Sequence, residues 1–306
     1  MEKVRYLERY AISLYSNSHN IFVVMDERRY VMMRLLTGCD SAEVEVYLER
    51  NYMETAMFSG NIARCGIENN GVDRRAGDYY GCFSDRGLQG IIAFYNLGNV
   101  VAHFEAAAAV DDFAEIMHQR RFEFLVGLKK IVEPLSLALR PNKEMLGCEE
   151  SYFFVNQAMK AYSQTALHQI VDVEAVDRSI ALSFIVEAYR HGFQRRFNQE
   201  MAVKLIEDRG PGEDFVLGVV HNEPVAQAVI QVVTGRIAQI GGVYTNAHHR
   251  AKGYCKTLVA ELCRRIFEAG KIPTLMVRKD NIPAVKAYHA LGFTCYDEYL
   301  ITKFKV

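Results

Sequence analysis

The sequence predicts two copies of one α/β unit in tandem. At 306 residues the chain is longer than one compact domain of ordinary size and fits two. Residues 81–102 (GCFSDRGLQGIIAFYNLGNVVA) and 218–239 (GVVHNEPVAQAVIQVVTGRIAQ) align without a gap at an offset of 218 − 81 = 137. Each reads as a strand, a polar turn (Ser84 to Gly87; His221 to Pro224), a longer apolar strand, a second turn at Gly98 or Gly235, and another strand. Further on, LALR at 137–140 stands where LMVR stands at 275–278, an offset of 138. The expected boundary lies between Gln164 and Leu167, giving domains at 1–165 and 166–306.

In the first copy, hydrophobic spacing predicts a helix near 3–15, strands at 21–25 and 30–36, a helix from Ala42 to Met57 behind Asp40, the repeated strands, and a helix from Asp112 to Lys129. The alanine run at 106–109 reads as a helix or strand lead-in. The second copy is expected to hold a strand at 168–173, helices at 176–191 and 196–208, and strands at 214–220, 225–233 and 236–245. A helix at 253–269, a strand at 273–278, a helix at 282–290 and a closing strand at 294–304 complete it. Leu258, Leu262 and Ile266 fall four apart with Val259, Cys263 and Phe267 in the adjoining row, and Gly270 sits where a C′ glycine belongs.

The chemistry concentrates between Ile240 and Lys256, where IGGVYTNAHHRAKGYCK runs from an apolar strand through a polar turn into a helix. The first four N–H groups of a helix lack intrahelical acceptors, and the aligned peptide dipoles add roughly half a positive charge there. A pyrophosphate satisfies both conditions. Gly253 lets a ligand approach the main chain, while Arg250, Lys252 and Lys256 add positive charge. Basic loops also occur simply as solvated surface.

Arg250-Ala251-Lys252-Gly253-Tyr254-Cys255 resembles the Arg/Gln-x-x-Gly-x-Gly/Ala signature of the GNAT superfamily of N-acetyltransferases, preceded by an apolar strand at 241–245. Cys255 departs from the usual Gly or Ala. A second block, PTLMVRKDNIPAVKAYHALGF at 273–293, resembles the family's Asn-x-x-Ala-x-x-x-Tyr-x-x-x-Gly-Phe pattern through Asn281, Ala284, Tyr288, Gly292 and Phe293. A cap near Asp280 or Asn281, Pro283 in the first turn and Gly292 at the end mark its helix. The resemblance implies two GNAT-like units, each a mixed, mostly antiparallel sheet flanked by helices. It implies acetyl-CoA as co-substrate, its pyrophosphate held by the loop from Arg250 to Lys256 and its pantetheine side by Asn281. Val243, Tyr244 and Thr245 would offer a strand edge to the pantetheine amides, with the Val243 N–H polarising the acyl carbonyl.

Acetyl transfer to an amine also needs the departing thiolate protonated. The resemblance implies that Tyr288 stands near the sulfur, and a tyrosine hydroxyl with a pKa of about 10 suits a thiol titrating at about 8.5, so Tyr288 is the expected general acid. Its plainer reading is a half-buried helix tyrosine, one of 17 in the chain. No base declares itself; Glu187, His191, Asp297 and Glu298 are candidates by position only. By resemblance the segment from Tyr189 to Arg196 borders the acceptor pocket, although Tyr189 and Phe193 as core with Arg195 and Arg196 solvated explains it equally. The acceptor is expected to be a small-molecule amine, with amino acid, amino sugar, antibiotic and polyamine all open and protein acetylation a third possibility. The alternative function is a non-catalytic acyl-CoA-binding regulatory or scaffold protein. In the first copy, Phe104 is followed by Glu105-Ala-Ala-Ala-Ala-Val-Asp-Asp, whose acids stabilise a helix start but repel a phosphate. That copy reads as degenerate.

With 36 basic and 37 acidic residues the net charge is −1, which gives no bulk electrostatic reason for binding nucleic acid or an acidic membrane. Seven cysteines, an odd number without a Cys-x-x-Cys pair, argue for a reducing cytoplasm and against a disulfide framework or structural zinc. His248 and His249 read as exposed turn residues, so no metal is expected. The charged start MEKVRYLERY lacks the apolar run of a secretory signal, and the apolar stretch 90–110 is too interrupted to span a membrane. The oligomeric state is left open, a dimer being one option.

Overall fold

Fully apolar strands need cover on both faces, and here helices supply it. The computed structural model describes residues 11–12, 21–26, 29–158, 160 and 169–306. By contacts the chain divides into a first unit of residues 1–150 with 299–306 and a second unit of residues 151–298.

In chain order the first unit contains β1 (Ala11–Ile12), β2 (Ile21–Asp26), β3 (Arg29–Leu35), α1 (Ser41–Arg50), α2 (Ala56–Cys65), β4 (Gly77–Ser84), β5 (Gly87–Tyr95) and β6 (Asn99–Phe104). Then come α3 (Ala109–His118), β7 (Phe124–Leu128), α4 (Lys129–Leu139) and the start of β8 (Met145–Val155). Neighbouring strands from β1 to β6 pair antiparallel, while β7 runs parallel to β6 and antiparallel to residues 299–303. Tyr47, Phe58, Tyr79, Leu88 and Ile91 form the heart of its core.

The second unit takes residues 151–155 of β8, then β9 (Gln169–Asp172), α5 (Arg178–Glu187), a π-helical turn (Ala188–Gly192), α6 (Gln199–Glu207), β10 (Phe215–Val220), β11 (Glu223–Val233) and β12 (Ile237–Thr245). It continues with α7 (Tyr254–Glu268), β13 (Ile272–Arg278), α8 (Ile282–Ala290) and residues 294–298 of β14 (Thr294–Phe304). Among its described residues β12 pairs with β13 in parallel, whereas β9 with β10, β10 with β11, β11 with β12 and β8 with β13 pair antiparallel. Each unit is therefore a mixed, mostly antiparallel sheet with helices, as expected. In β10, Val216 and Val220 face the α7 side with Leu258 and Leu262, while Phe215 and Leu217 face the α5 side with Phe184 and Ile185. His221 and Asn222, both with positive φ, form the tight turn into β11.

The repeat extends to a helix: α1 and α5 begin at 41 and 178 and end at 50 and 187, again 137 apart. Several sequence expectations need correction. The helix at 42–57 is two helices, because Asn51 ends α1 and the Thr55 hydroxyl takes up the carbonyls of Leu48 and Asn51 at 3.0 Å each. The helix at 112–129 stops at His118, since the apolar run FLVGL is used as strand β7. The segment LALR lies in or at the end of α4, so it does not answer β13; β7 does, with Asn99↔Phe124 in the place of Ile237↔Ile272. The helix at 176–191 ends as an α-helix at Glu187 and finishes as the π turn. Of the expected helix at 3–15 only Ala11–Ile12 is described, as strand, and the expected boundary at 164–167 lies outside the described residues. The contact division also differs from that boundary, because residues 151–155 pair with β13 and residues 299–303 pair with β7. Among the described residues no helix is long and apolar enough to cross a membrane.

Candidate active site

The site begins with two strands that part. β12 and β13 are in parallel register from Ile237↔Ile272 to Ile240↔Leu275 and no further, although β12 continues to Thr245 and β13 to Arg278. A bulge in β12 accompanies the parting. Between Gln227↔Tyr244 and Val229↔Gly241, three residue steps of β12 match two of β11, and Gly242 takes φ +57°. The side chain of fully buried Gln227 holds this place, donating from Nε2 to the Gly242 carbonyl at 3.1 Å. From Gly241 onward the β12 edge facing β13 is unpaired, which leaves Val243, Tyr244 and Thr245 on the strand edge that sequence reasoning assigned to the coenzyme.

Beyond the strand, Asn246 accepts from the His248 N–H and starts a short 3-10 turn over Ala247–His249. Arg250 folds back, its Nε donating to the Thr245 carbonyl at 3.1 Å. Ala251 and Gly253 both take left-handed φ, +61° and +83°. Lys252 is exposed between them, and α7 opens at Tyr254 without a side-chain cap. Its first-turn N–H groups and the dipole of a 15-residue helix thus converge at the end of β12. The Schellman pattern at the other end, with Gly270 N–H to Phe267 O and Lys271 N–H to Ile266 O, satisfies the last carbonyls.

Cys255 lies half-buried in this first turn, its thiol close to the main-chain N–H groups of Cys255 and Lys256. Burial outweighs those groups and raises the thiol pKa, so Cys255 packs and is not an activated thiolate. Tyr288, 6% exposed, packs edge-on against Phe293 and lies within electrostatic reach of Cys255. Burial, with a smaller contribution from Cys255, pushes the pKa of its hydroxyl well above that of a free tyrosine, and no hydrogen bond from another described residue contributes to that shift. It holds its proton throughout the physiological range. Asn281 caps α8, its Oδ1 accepting from the Ala284 N–H at 3.3 Å. That role is structural, and its side-chain NH₂ donates to nothing among the described residues.

A coenzyme with a diphosphate and two amides fits these residues. The N-terminus of α7 is uncapped, the β12 edge is unpaired, and the buried Thr245 hydroxyl lacks a partner. Of the four candidate bases, Glu187 is joined to the site: its Oε1 accepts from Tyr244 Oη at 3.2 Å and Asn246 Nδ2 at 2.7 Å. Glu298 pairs with Lys279 at 2.8 Å, Asp297 accepts from the Glu298 N–H, and His191 is exposed. Tyr189 is buried and stacked on Phe197, while Arg195 and Arg196 are exposed. Sequence reasoning missed Gln227 and the bulge; the Gly241-Gly242 pair inside an apolar strand was the available signal. Among the described residues no group of three metal-ligating side chains gathers.

In the first unit β6 and β7 also part, pairing only from Asn99↔Phe124 to Val101↔Val126, and α3 also starts without a side-chain cap, but the bulge is missing among the described residues. β5 and β6 stay in continuous register from Gly90↔Phe104 to Phe94↔Val100. Glu105, just past β6, is clamped by Arg50 and Asn51 at 2.7 Å, and α3 carries Asp111 and Asp112 in its first turn.

Residues 216–301 match the family described as FR47-like protein. Solved structures resemble most of the chain. An acetyltransferase of the GNAT family from Colwellia psychrerythraea is 12% identical with a TM-score of 0.57, covering 89% of this chain and 99% of its own. A GCN5-related N-acetyltransferase from Sphaerobacter thermophilus is 12% identical with a TM-score of 0.59, covering 89% and 95%. A tandem GNAT protein from the clavulanic acid biosynthesis pathway is 12% identical with a TM-score of 0.56, covering 89% and 98%. No curated protein matches the sequence. The chain has the GNAT fold, and the resemblance carried by its two motif blocks stands with the FR47-like match over the same region.

Proposed function

We propose that the second unit is an N-acetyltransferase that moves the acetyl group of acetyl-CoA to a primary amine by direct attack. The observation that carries this reading is the parting of β12 from β13 beside the uncapped start of α7. The loop amides from Arg250 to Lys256 bind the diphosphate, and the free edge of β12 takes the pantetheine amides as an added strand takes its neighbours. The main-chain N–H of Val243 polarises the thioester carbonyl. Asn281 binds the pantetheine side through its free NH₂. Tyr288 donates to the departing thiolate. Its raised pKa keeps the hydroxyl protonated and able to donate.

In the same reading the first unit does not bind acetyl-CoA, because Glu105, Asp111 and Asp112 stand where a diphosphate would need positive potential. The partner is a small-molecule amine, with no nucleic acid and no membrane. Seven free cysteines suit a reducing cytoplasm. Thiol release from acetyl-CoA across an amine panel tests the reading. Release that falls in Tyr288→Phe while acetyl-CoA affinity holds supports it. Acetyl-CoA binding with no release for any amine points to a regulatory acyl-CoA-binding protein.

A further inference from the structure

The arginines beside the parted strands lack the acidic partners that others in the second unit have. Arg178 pairs with Glu207, Arg209 with Glu174, Arg264 with Glu261 and Glu268, Arg265 with Asp172 and Asp214, and Arg278 with Asp280. Arg195 and Arg196 have no ion pair among the described residues, and Arg190 spends its Nε on the Phe197 carbonyl at 2.6 Å. Their segment is fixed. The Arg195 N–H donates to the Tyr189 carbonyl at 3.0 Å, and Tyr189 stacks on Phe197 with ring centres 4.2 Å apart. Tyr189 in turn reaches the bulge, its hydroxyl 3.6 Å from where a Cβ on Gly242 would stand. Arg195 lies close enough to that hydroxyl to oppose the rise in pKa that burial causes. Two residues before Tyr189, Glu187 commits one carboxylate oxygen to Tyr244 and Asn246 and leaves Oε2 without a partner among the described residues. The bulge thus has the fixed Glu187 carboxylate and the Arg195 guanidinium near it, with exposed Arg196 next in sequence.

We infer, resting on the N-acetyltransferase reading, that the acceptor is an amine that also carries a carboxylate, an amino-acid-type zwitterion. Its carboxylate meets Arg195 and Arg196, for which guanidinium geometry is suited, and its ammonium meets Glu187. A polyamine would meet like charge on the same segment. Glu187 takes one proton from the ammonium and passes it to solvent, freeing the nitrogen lone pair. The nitrogen then bonds to the acetyl carbonyl carbon, the C–S bond breaks, and its electron pair stays on sulfur. Sulfur takes a proton from Tyr288, and the second proton lost by nitrogen restores the tyrosine through solvent.

The test compares amino acids with their own carboxamides, which keep the amine and lose the carboxylate, in thiol release from acetyl-CoA. Calorimetry with acetyl-CoA is run first. If acetyl-CoA does not bind, the acetyltransferase reading itself fails and this inference falls with it. With binding established, the expected result is a KM at least tenfold lower for an amino acid than for its carboxamide. The R195A/R196A variant should raise the amino-acid KM at least tenfold while leaving the carboxamide KM and acetyl-CoA affinity unchanged, and Arg195→Lys should recover part of the loss. Equal or better use of carboxamides or polyamines overturns the inference. So does bound acetyl-CoA with no amino acid acetylated, or an amino-acid preference that survives R195A/R196A.

Discussion

Replacing Gly242 with alanine tests whether the bulge in β12 makes the coenzyme slot. The residue sits at φ +57°, where a Cβ costs roughly 1–2 kcal/mol. The new Cβ would stand 2.7 Å from Cγ1 of Val229, itself 2% exposed, so the core must shift. Overpacking of this kind costs about 1–3 kcal/mol, giving a combined loss of about 2–5 kcal/mol unless the strand flattens. Flattening relieves the strain by removing the extra residue, but it redirects the edge that carries Val243 and Thr245. Either outcome harms acetyl-CoA binding. The assay pairs a thermal melt with calorimetry, and we expect a lower melting temperature with at least a tenfold loss of acetyl-CoA affinity. Gly270→Ala is the control. It has φ +71° at the end of α7, but its Cβ would meet nothing within 4 Å, so it should cost about 1 kcal/mol of strain and leave affinity intact. Wild-type affinity in Gly242→Ala would refute the reasoning.

Tyr288→Phe removes one hydroxyl and keeps the ring packed on Phe293, so stability should change by less than about 1 kcal/mol while turnover falls about 10²-fold, read by melting and by steady-state thiol release. Cys255, half-buried with a raised pKa, should react with a maleimide more slowly than exposed Cys39, Cys148 and Cys295, and acetyl-CoA should slow it further, as mass spectrometry of labelled peptides would show. In the first unit, Arg34 holds the Asp40 carboxyl below its ordinary pKa, with bonds at 2.8 and 2.5 Å. A depressed folded pKa gives stability that is full above the unfolded value of about 3.9 and is lost as pH falls through the folded one. Asp40→Asn should therefore destabilise the first unit at pH 7 and narrow its stability difference from wild type in melts below about pH 4.

The helix from Tyr254 was legible because its apolar rows, its starting glycine and its closing Gly270 agree with one another. The span of α8 was equally plain from Asn281, Pro283 and Gly292. What the pattern concealed depends on contacts distant in sequence. Residues 124–128 are too short and too apolar to declare themselves as strand until paired with β6. The closing strand spans the expected residues, yet its partner at 299–303 is β7, some 170 residues earlier, and no local signal states that. In the candidate site, Gly253 and Tyr288 were singled out by the resemblance of the two motif blocks, whereas Gln227 and the anchors of Glu187 emerged only with tertiary structure. Ala251 at φ +61° is similarly a property of the folded loop and not of alanine.

Calorimetric titration of the full chain with acetyl-CoA tests the coenzyme slot most directly, with Arg250→Ala and Gly253→Val measured alongside. One site per chain, weakened at least tenfold by Gly253→Val and less by Arg250→Ala, is the predicted result. Absence of heat with any CoA species, or a site indifferent to Gly253→Val, would contradict it.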